Sequence, residues 1–196
     1  QAYTGSAFAF DTTRKAAWVA DSLAADPIAG IRLVAPESSR WDQVAQVHAP
    51  AYVQAIRTGE PRDLAQSQKL RWDAGLGPMV LATNGGAVAS ALDALRSGVS
   101  GSLSSGLHHA RRACGKGYCT FNGLVMAAHA ALDAGAGSVL ILDLDAHCGG
   151  GTAELIAPGR YRLTRLLRGQ RGTEGAMVSM VPTGARVVVL DTAMAF

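Results

Sequence analysis

Apolar and small residues recur at helical spacing through the first half of the chain, and the regularity breaks at a few glycines and prolines. From Thr12 to Ala25 the order TTRKAAWVADSLAA puts Ala16, Val19 and Leu23 on one stripe, with Asp11 or Thr12 available as cap, and predicts an amphipathic helix. A short apolar segment, Ile31 to Val34, ends at Pro36, and WDQVAQVHAPAYVQAIRTG then reads as helix interrupted before Pro50 and stopped by Gly59. Leu64 to Pro78, polar and glycine-rich, reads as loop. Asn84 to Arg96 is a small-residue helix ended by Gly98, and its Gly85-Gly86 pair predicts close packing against a neighbour. Val99 to Ser105 reads as a strand leading into His108-His109, Phe121 to Ala134 as a helix stopped by Gly135, and SVLIL at 138–142 as a buried strand. Helix alternating with buried strand implies an α/β domain, an open parallel sheet with helices on both faces. In such sheets ligands gather beyond the carboxyl ends of the strands. Both polar clusters, 108–109 and 143–147, fall at that edge.

With 196 residues, 48% apolar and 17% charged, the chain has the composition of one globular domain. No internal repeat of 20–50 residues is visible. No apolar run spans a bilayer, and Gln1 is followed by no secretory leader, so a soluble, cytoplasmic protein with a trimmed or incomplete start is expected. Cys114, Cys119 and Cys148 form an odd set without CxxC spacing, which suits a reducing compartment. The basic character is local. Residues 1–156 hold 12 Lys/Arg against 13 Asp/Glu, whereas 157–196 hold 6 Arg against 2 acids. The arginines at 160, 162, 165 and 168 have a single aromatic, Tyr161, among them and no binding motif around them, so no nucleic-acid surface is expected.

Chemistry concentrates in Asp143-Leu144-Asp145-Ala146-His147. A strand turns residues i and i+2 to one side, so Asp143 and Asp145 converge with His147 just beyond. Carboxylate and imidazole are zinc ligands, and a catalytic zinc takes three protein ligands with one position open. Glycines 149–151 permit a tight turn and close approach of the backbone to a metal or substrate. Two acids that merely cap the next helix are the plain alternative; the added histidine and glycines favour a site. Adjacent His108 and His109 can act together, one moving a proton and the other supporting its charge, and an acid beside a histidine fixes its tautomer.

SSGLHHARRACGKGYCTFNGLVMAAHAAL followed by VLILDLDAHCGGGTAELI resembles the histone deacetylase and acetylpolyamine amidohydrolase superfamily, through a His-His-Ala, a glycine-aromatic-Cys-x-x-Asn and an Asp-x-Asp-x-His block in order. Weaker similarity runs upstream through VHAPAYVQAIRTG, WDAG and NGGAVASALDAL. The resemblance implies an open parallel sheet of arginase and deacetylase type, incomplete at its C-terminal side. It implies a Zn2+-dependent amidohydrolase that removes acyl groups from acetylated lysine or from acetylated polyamines and small amines by metal-activated water. Asp145 and His147 would bind the zinc, His109 would be general base and acid, and His108 would support it, paired with Asp143. Tyr118 would line the acyl channel, and Asp73 would accept substrate amide hydrogens. His129 and His48 match no catalytic position; they read as a helix-face residue and part of a packing motif. Arginases also show Asp-Ala-His but add an Asp two residues later to bridge two manganese ions. Here that place is Gly149, which favours one zinc.

The chain departs from the pattern in two places. Where the family often has Asp or Asn three residues after the ligand histidine, this chain has Gly150. After Ile156 the similarity fades, no further strand is expected directly, and neither the family's third metal-ligand Asp nor its carbonyl-polarising Tyr is recognisable. Asp191, ending RVVVLD, is the one candidate substitute ligand, although its surroundings, LDTAMAF, do not match the family. This divides the chain into a partial deacetylase-like catalytic domain, 1–156, and a basic divergent tail, 157–196. A catalytically inactive fragment or metal-binding pseudoenzyme is the alternative function, and truncation, a shifted reading frame or divergence the alternative origins.

Overall fold

The apolar run Val139–Asp143 forms β1, the central strand of a three-stranded parallel sheet in the order β2-β1-β3, with β2 at Leu163–Leu167 and β3 at Val187–Asp191. The computed structural model describes residues 13–143, 145, 147 and 149–156, together with the backbone of 163–167 and 187–191. The expected caps Asp11 and Thr12, Cys148, and the arginines at 160, 162 and 168 lie outside the described residues.

Val139, Leu140 and Ile141 are all buried, so β1 is covered on both faces, as its unbroken apolar run requires. Its pairing is in register on both sides: Val139 stands opposite Leu163 and Val187, and Asp143 opposite Leu167 and Asp191. Contrary to expectation, a strand does follow Ile156. LTRLL shows no clean alternation, but pairing along the edge of β1 satisfies its backbone donors and acceptors.

Seven helices are described: α1 Lys15–Ala25, α2 Trp41–Val47, α3 Pro50–Thr58, α4 Arg62–Ala65, α5 Leu76–Ser97, α6 Gly123–Asp133 and α7 Gly150–Ile156. Helix α3 begins with Pro50, whose missing N–H costs nothing in a first turn, and ends at Gly59 with φ +82. A side chain at Gly59 would meet the Trp72 indole, which also donates its Nε1–H to the Ile56 carbonyl at 2.8 Å. Asn122 caps α6, accepting the Val125 N–H at 3.1 Å. On α1 no residue is fully buried; Ala16, Val19 and Leu23 are half-covered and Trp18 is exposed.

Helix α5 starts eight residues before the expected Asn84, because Gly77 and Pro78 fall in its first turn, where no intrahelical N–H partner is needed. The Gly85-Gly86 pair does pack closely: a Cβ at Gly85 would collide with the Glu37 carbonyl and one at Gly86 would lie 2.8 Å from Ser102 Oγ. Residues 99–105 are not a strand. Val99 is 83% exposed, so the segment has no core to face and runs as a connection from α5 to the histidine pair.

Two apolar clusters fill the interior. Tyr52, Ile56, Leu76, Val80, Phe121 and Val125 centre the larger one between α3, α5 and α6. The smaller joins Leu124, Ala128 and Ala131 of α6 to Val139 and Ile141 of β1. Because β1 alternates, that same face carries Asp143 at its C-terminal end, beneath the histidine loop.

Candidate active site

The loop 107–112 carries the histidine pair and is pinned against the end of β1. His108 Nδ1 lies 2.9 Å from Asp143 Oδ2, both side chains almost wholly buried, which fixes the tautomer with Nδ1–H donating. His108 Nε2 then faces Asp145 Oδ2 at 3.8 Å. Asp145 N–H donates to Asp143 Oδ1 at 3.0 Å, so the two acids converge although Asp145 is already past the strand. The His109 ring lies beside that of His108, centroids 4.2 Å apart, and 6.1 Å from that of His147.

His109 is half-buried. Burial first, then the neighbouring His108 and, less, His147 push its pKa down to about 4, against the opposing pull of Asp145 and Asp143. It is therefore uncharged at neutral pH. Among the described residues no side chain hydrogen-bonds its ring nitrogens, whereas His108 has Asp143.

Asp145 and His147 form a two-donor arrangement. Asp145 Oδ1 accepts the His147 backbone N–H at 2.6 Å and lies 3.0 Å from His147 Nδ1. Two ligand atoms on one tetrahedral zinc at about 2.0–2.1 Å lie about 3.3 Å apart, so this oxygen and nitrogen fit a shared ion. The His147 side chain is 74% exposed and the Asp145 side chain 8%, so the pair opens outward from the buried His108–Asp143 contact. Among the described residues no group of three or more His, Cys, Asp or Glu has metal-holding geometry. The Asp191 backbone stands opposite Asp143 in the register, at the same sheet edge.

The glycines after His147 serve a need that sequence reading assigned to a ligand. A Cβ at Gly149 would collide with Asp143 Oδ2 and lie 3.1 Å from His108 Nδ1; one at Gly151 would collide with the Ala110 carbonyl. They let the start of α7 lie directly on the histidine loop. Gly150 differs: among the described residues a Cβ there would meet only Arg111 Nη2, at 3.6 Å. Arg111 in turn pairs with Glu154 of α7 at 2.6 Å.

Tyr118 follows Gly117, whose Cβ position would lie 3.1 Å from His109 Cγ, so this turn packs on the second histidine. Tyr118 itself has φ +63, donates its N–H to the Gln68 carbonyl at 2.9 Å, and rests half-buried against the larger core. Asp73 Oδ1 accepts the Gly75 N–H at 2.7 Å at the start of α5. His129 lies on α6, as read. His48 and Asn122, given no catalytic part by the sequence, both hydrogen-bond the histidine loop, His48 across 63 residues and Asn122 across 12.

A family model described as "Histone deacetylase domain" matches residues 10–161. The chain is 32% identical over 130 residues to the "Probable deacetylase" of Methanothermobacter thermautotrophicus, covering 63% of this chain and 38% of that protein. It is 52% identical over 48 residues to "Acetylpolyamine amidohydrolase 2" of Pseudomonas aeruginosa, 24% of this chain and 14% of the relative. The crystal structure of the HDA15 HD domain superposes with a TM-score of 0.62 at 23% identity, over 79% of this chain and 44% of that one, and shares the fold. The chain spans less than two fifths of the length of the curated relatives it matches.

Proposed function

The chain belongs to the histone deacetylase domain family, and from that premise we propose that it carries the proton-handling and metal-holding part of a zinc-dependent deacetylase acting on acetylated lysine or acetylated polyamines and small amines. The observation that supports this most is the convergence of His108, His109, Asp143, Asp145 and His147 at one end of β1. Asp145 Oδ1 and His147 Nδ1 would hold the zinc. When bound, the metal supplies Lewis acidity toward the amide carbonyl and acidifies a water.

The protein's own groups handle the proton. His109, uncharged at neutral pH, accepts it on a ring nitrogen and returns it to the leaving amine. His108 lies against it with Nδ1–H committed to Asp143, so the buried carboxylate balances positive charge appearing on the pair. Tyr118, beside the turn that packs on His109, would line the acyl channel, and Asp73 would receive the substrate amide hydrogens.

A second reading, a metal-binding protein of the same family without hydrolytic turnover, is favoured by Gly150, which leaves His109 without the supporting Asp or Asn that the family pattern often puts there. Acetate release from acetyl-lysine peptides and acetylputrescine separates the two. The enzyme reading predicts zinc-dependent, chelator-sensitive release that His109→Ala abolishes. It also predicts slow release, because a missing oxyanion donor costs about 10²–10³ in rate. Zinc binding with no acetate released would decide for the second reading, and release indifferent to chelator and to His109→Ala would contradict both.

A further inference from the structure

The loop 107–112 is irregular, buried at His108 and Ala110, and strained at its start, where Leu107 has φ +57. Buried backbone groups in such a loop need partners that regular structure does not supply. Side chains supply many of them here. The His108 carbonyl accepts the Thr152 N–H at 3.0 Å, Asn122 Nδ2 donates to the Ala110 carbonyl at 3.2 Å, and His48 Nδ1 donates to the Arg111 carbonyl at 2.8 Å. The Arg112 N–H finds Glu154 Oε1 at 3.1 Å and its carbonyl the Ala49 N–H at 2.8 Å.

His48 links this loop to helix α6. It closes α2, is 1% exposed, and its other nitrogen, Nε2, accepts the Asn122 backbone N–H at 3.0 Å. One rigid ring thus presents a donor to one loop and an acceptor to another, which requires the neutral form with the proton on Nδ1. Asn122 passes the constraint on: its Oδ1 caps α6 while its Nδ2 reaches the Ala110 carbonyl, the His108 carbonyl at 3.4 Å and Thr152 Oγ1 at 3.0 Å.

We propose that His48 and Asn122 are positioning residues for His109, acting through the backbone of the histidine loop. His108 is held by Asp143 through its side chain, whereas the His109 ring packs on the His108 ring and the Gly117 turn and its backbone lies in the loop that these bonds fix. The inference rests on the proposed function for its catalytic meaning and on hydrogen-bond geometry alone for its structural content.

The test uses the zinc-free chain with nitrogen-15-labelled histidine. His48→Phe keeps a flat ring in the Tyr52 and Phe121 cluster but removes both hydrogen bonds; His48→Gln offers an amide donor and acceptor. Asn122→Asp keeps the cap of α6 and removes the donors to the loop. His48→Phe and Asn122→Asp are expected to shift the ring resonances of His108 and His109, His48→Gln to restore them, and wild-type His48 to show the Nδ1–H tautomer. Where hydrolysis is measurable, kcat falls about 10–100-fold in the first two variants with KM unchanged. If His48→Phe does not fold, Asn122→Asp carries the test. Folded variants with unmoved His109 resonances, or His48→Gln shifting them as far as His48→Phe, would overturn the proposal. A wild-type chain without hydrolysis would count against the proposed function and leave the ring resonances to decide this inference.

Discussion

At the scale of single residues, the two buried histidines face opposite requirements. His108 is buried beside a carboxylate, whereas His48 is buried between a carbonyl and an N–H, with nothing to balance a charge. Desolvation accordingly pushes His48 down from 6.5 to about 4. A histidine whose folded pKa is depressed contributes fully above its unfolded value and loses that contribution as pH falls through 6.5 toward 4. The span corresponds to about 3 kcal/mol. Urea unfolding of the wild type is therefore expected to weaken by about 2–3 kcal/mol between pH 7 and pH 4 from this residue. His48→Gln should show a correspondingly flatter profile; equal slopes in the two proteins would show that His48 does not titrate on unfolding.

At the scale of elements, local chemistry and close packing set opposite demands on α5. Exchanging a mid-helix glycine for alanine ordinarily stabilises by about 1 kcal/mol. At Gly85 the added methyl would collide with the backbone of Glu37 and Ser39, and overpacking costs about 1–3 kcal/mol. Gly85→Ala is therefore expected to lower the melting temperature. A rise would mean that the segment at 37–39 yields freely. The elements legible in the sequence were those whose signal is local: β1 from its unbroken apolar run, the break between α2 and α3 from Pro50, and the close approach of α5 from paired glycines. The start of α5 was hidden because Gly77 and Pro78 signal a loop everywhere except in a first turn. The supposed strand at 99–105 had the right residue types but nothing to pack against, and β2 owes its existence to β1 rather than to its own pattern. His48 stands in the packing motif and Asn122 in the glycine-aromatic-Cys-x-x-Asn block, but the partners of both are supplied by tertiary folding and lie beyond local reading.

At the scale of the molecule, the sheet gathers polar groups from separate stretches of sequence at one edge. Asp143 ends β1, Asp191 stands beside it on β3, and the histidine loop lies against both Asp143 and the start of α7. That arrangement, rather than any one motif, would join the proposed proton-handling histidines to the two proposed metal donors, and the family match over residues 10–161 covers all of them except the strand bearing Asp191. The most direct test is anomalous diffraction at the zinc edge from zinc-loaded crystals of the chain. The account predicts a peak about 2.0–2.2 Å from a carboxylate oxygen of Asp145 and from Nδ1 of His147, lost in His147→Ala and retained in His129→Ala. A dominant peak elsewhere, or one at this place that survives His147→Ala, would contradict it.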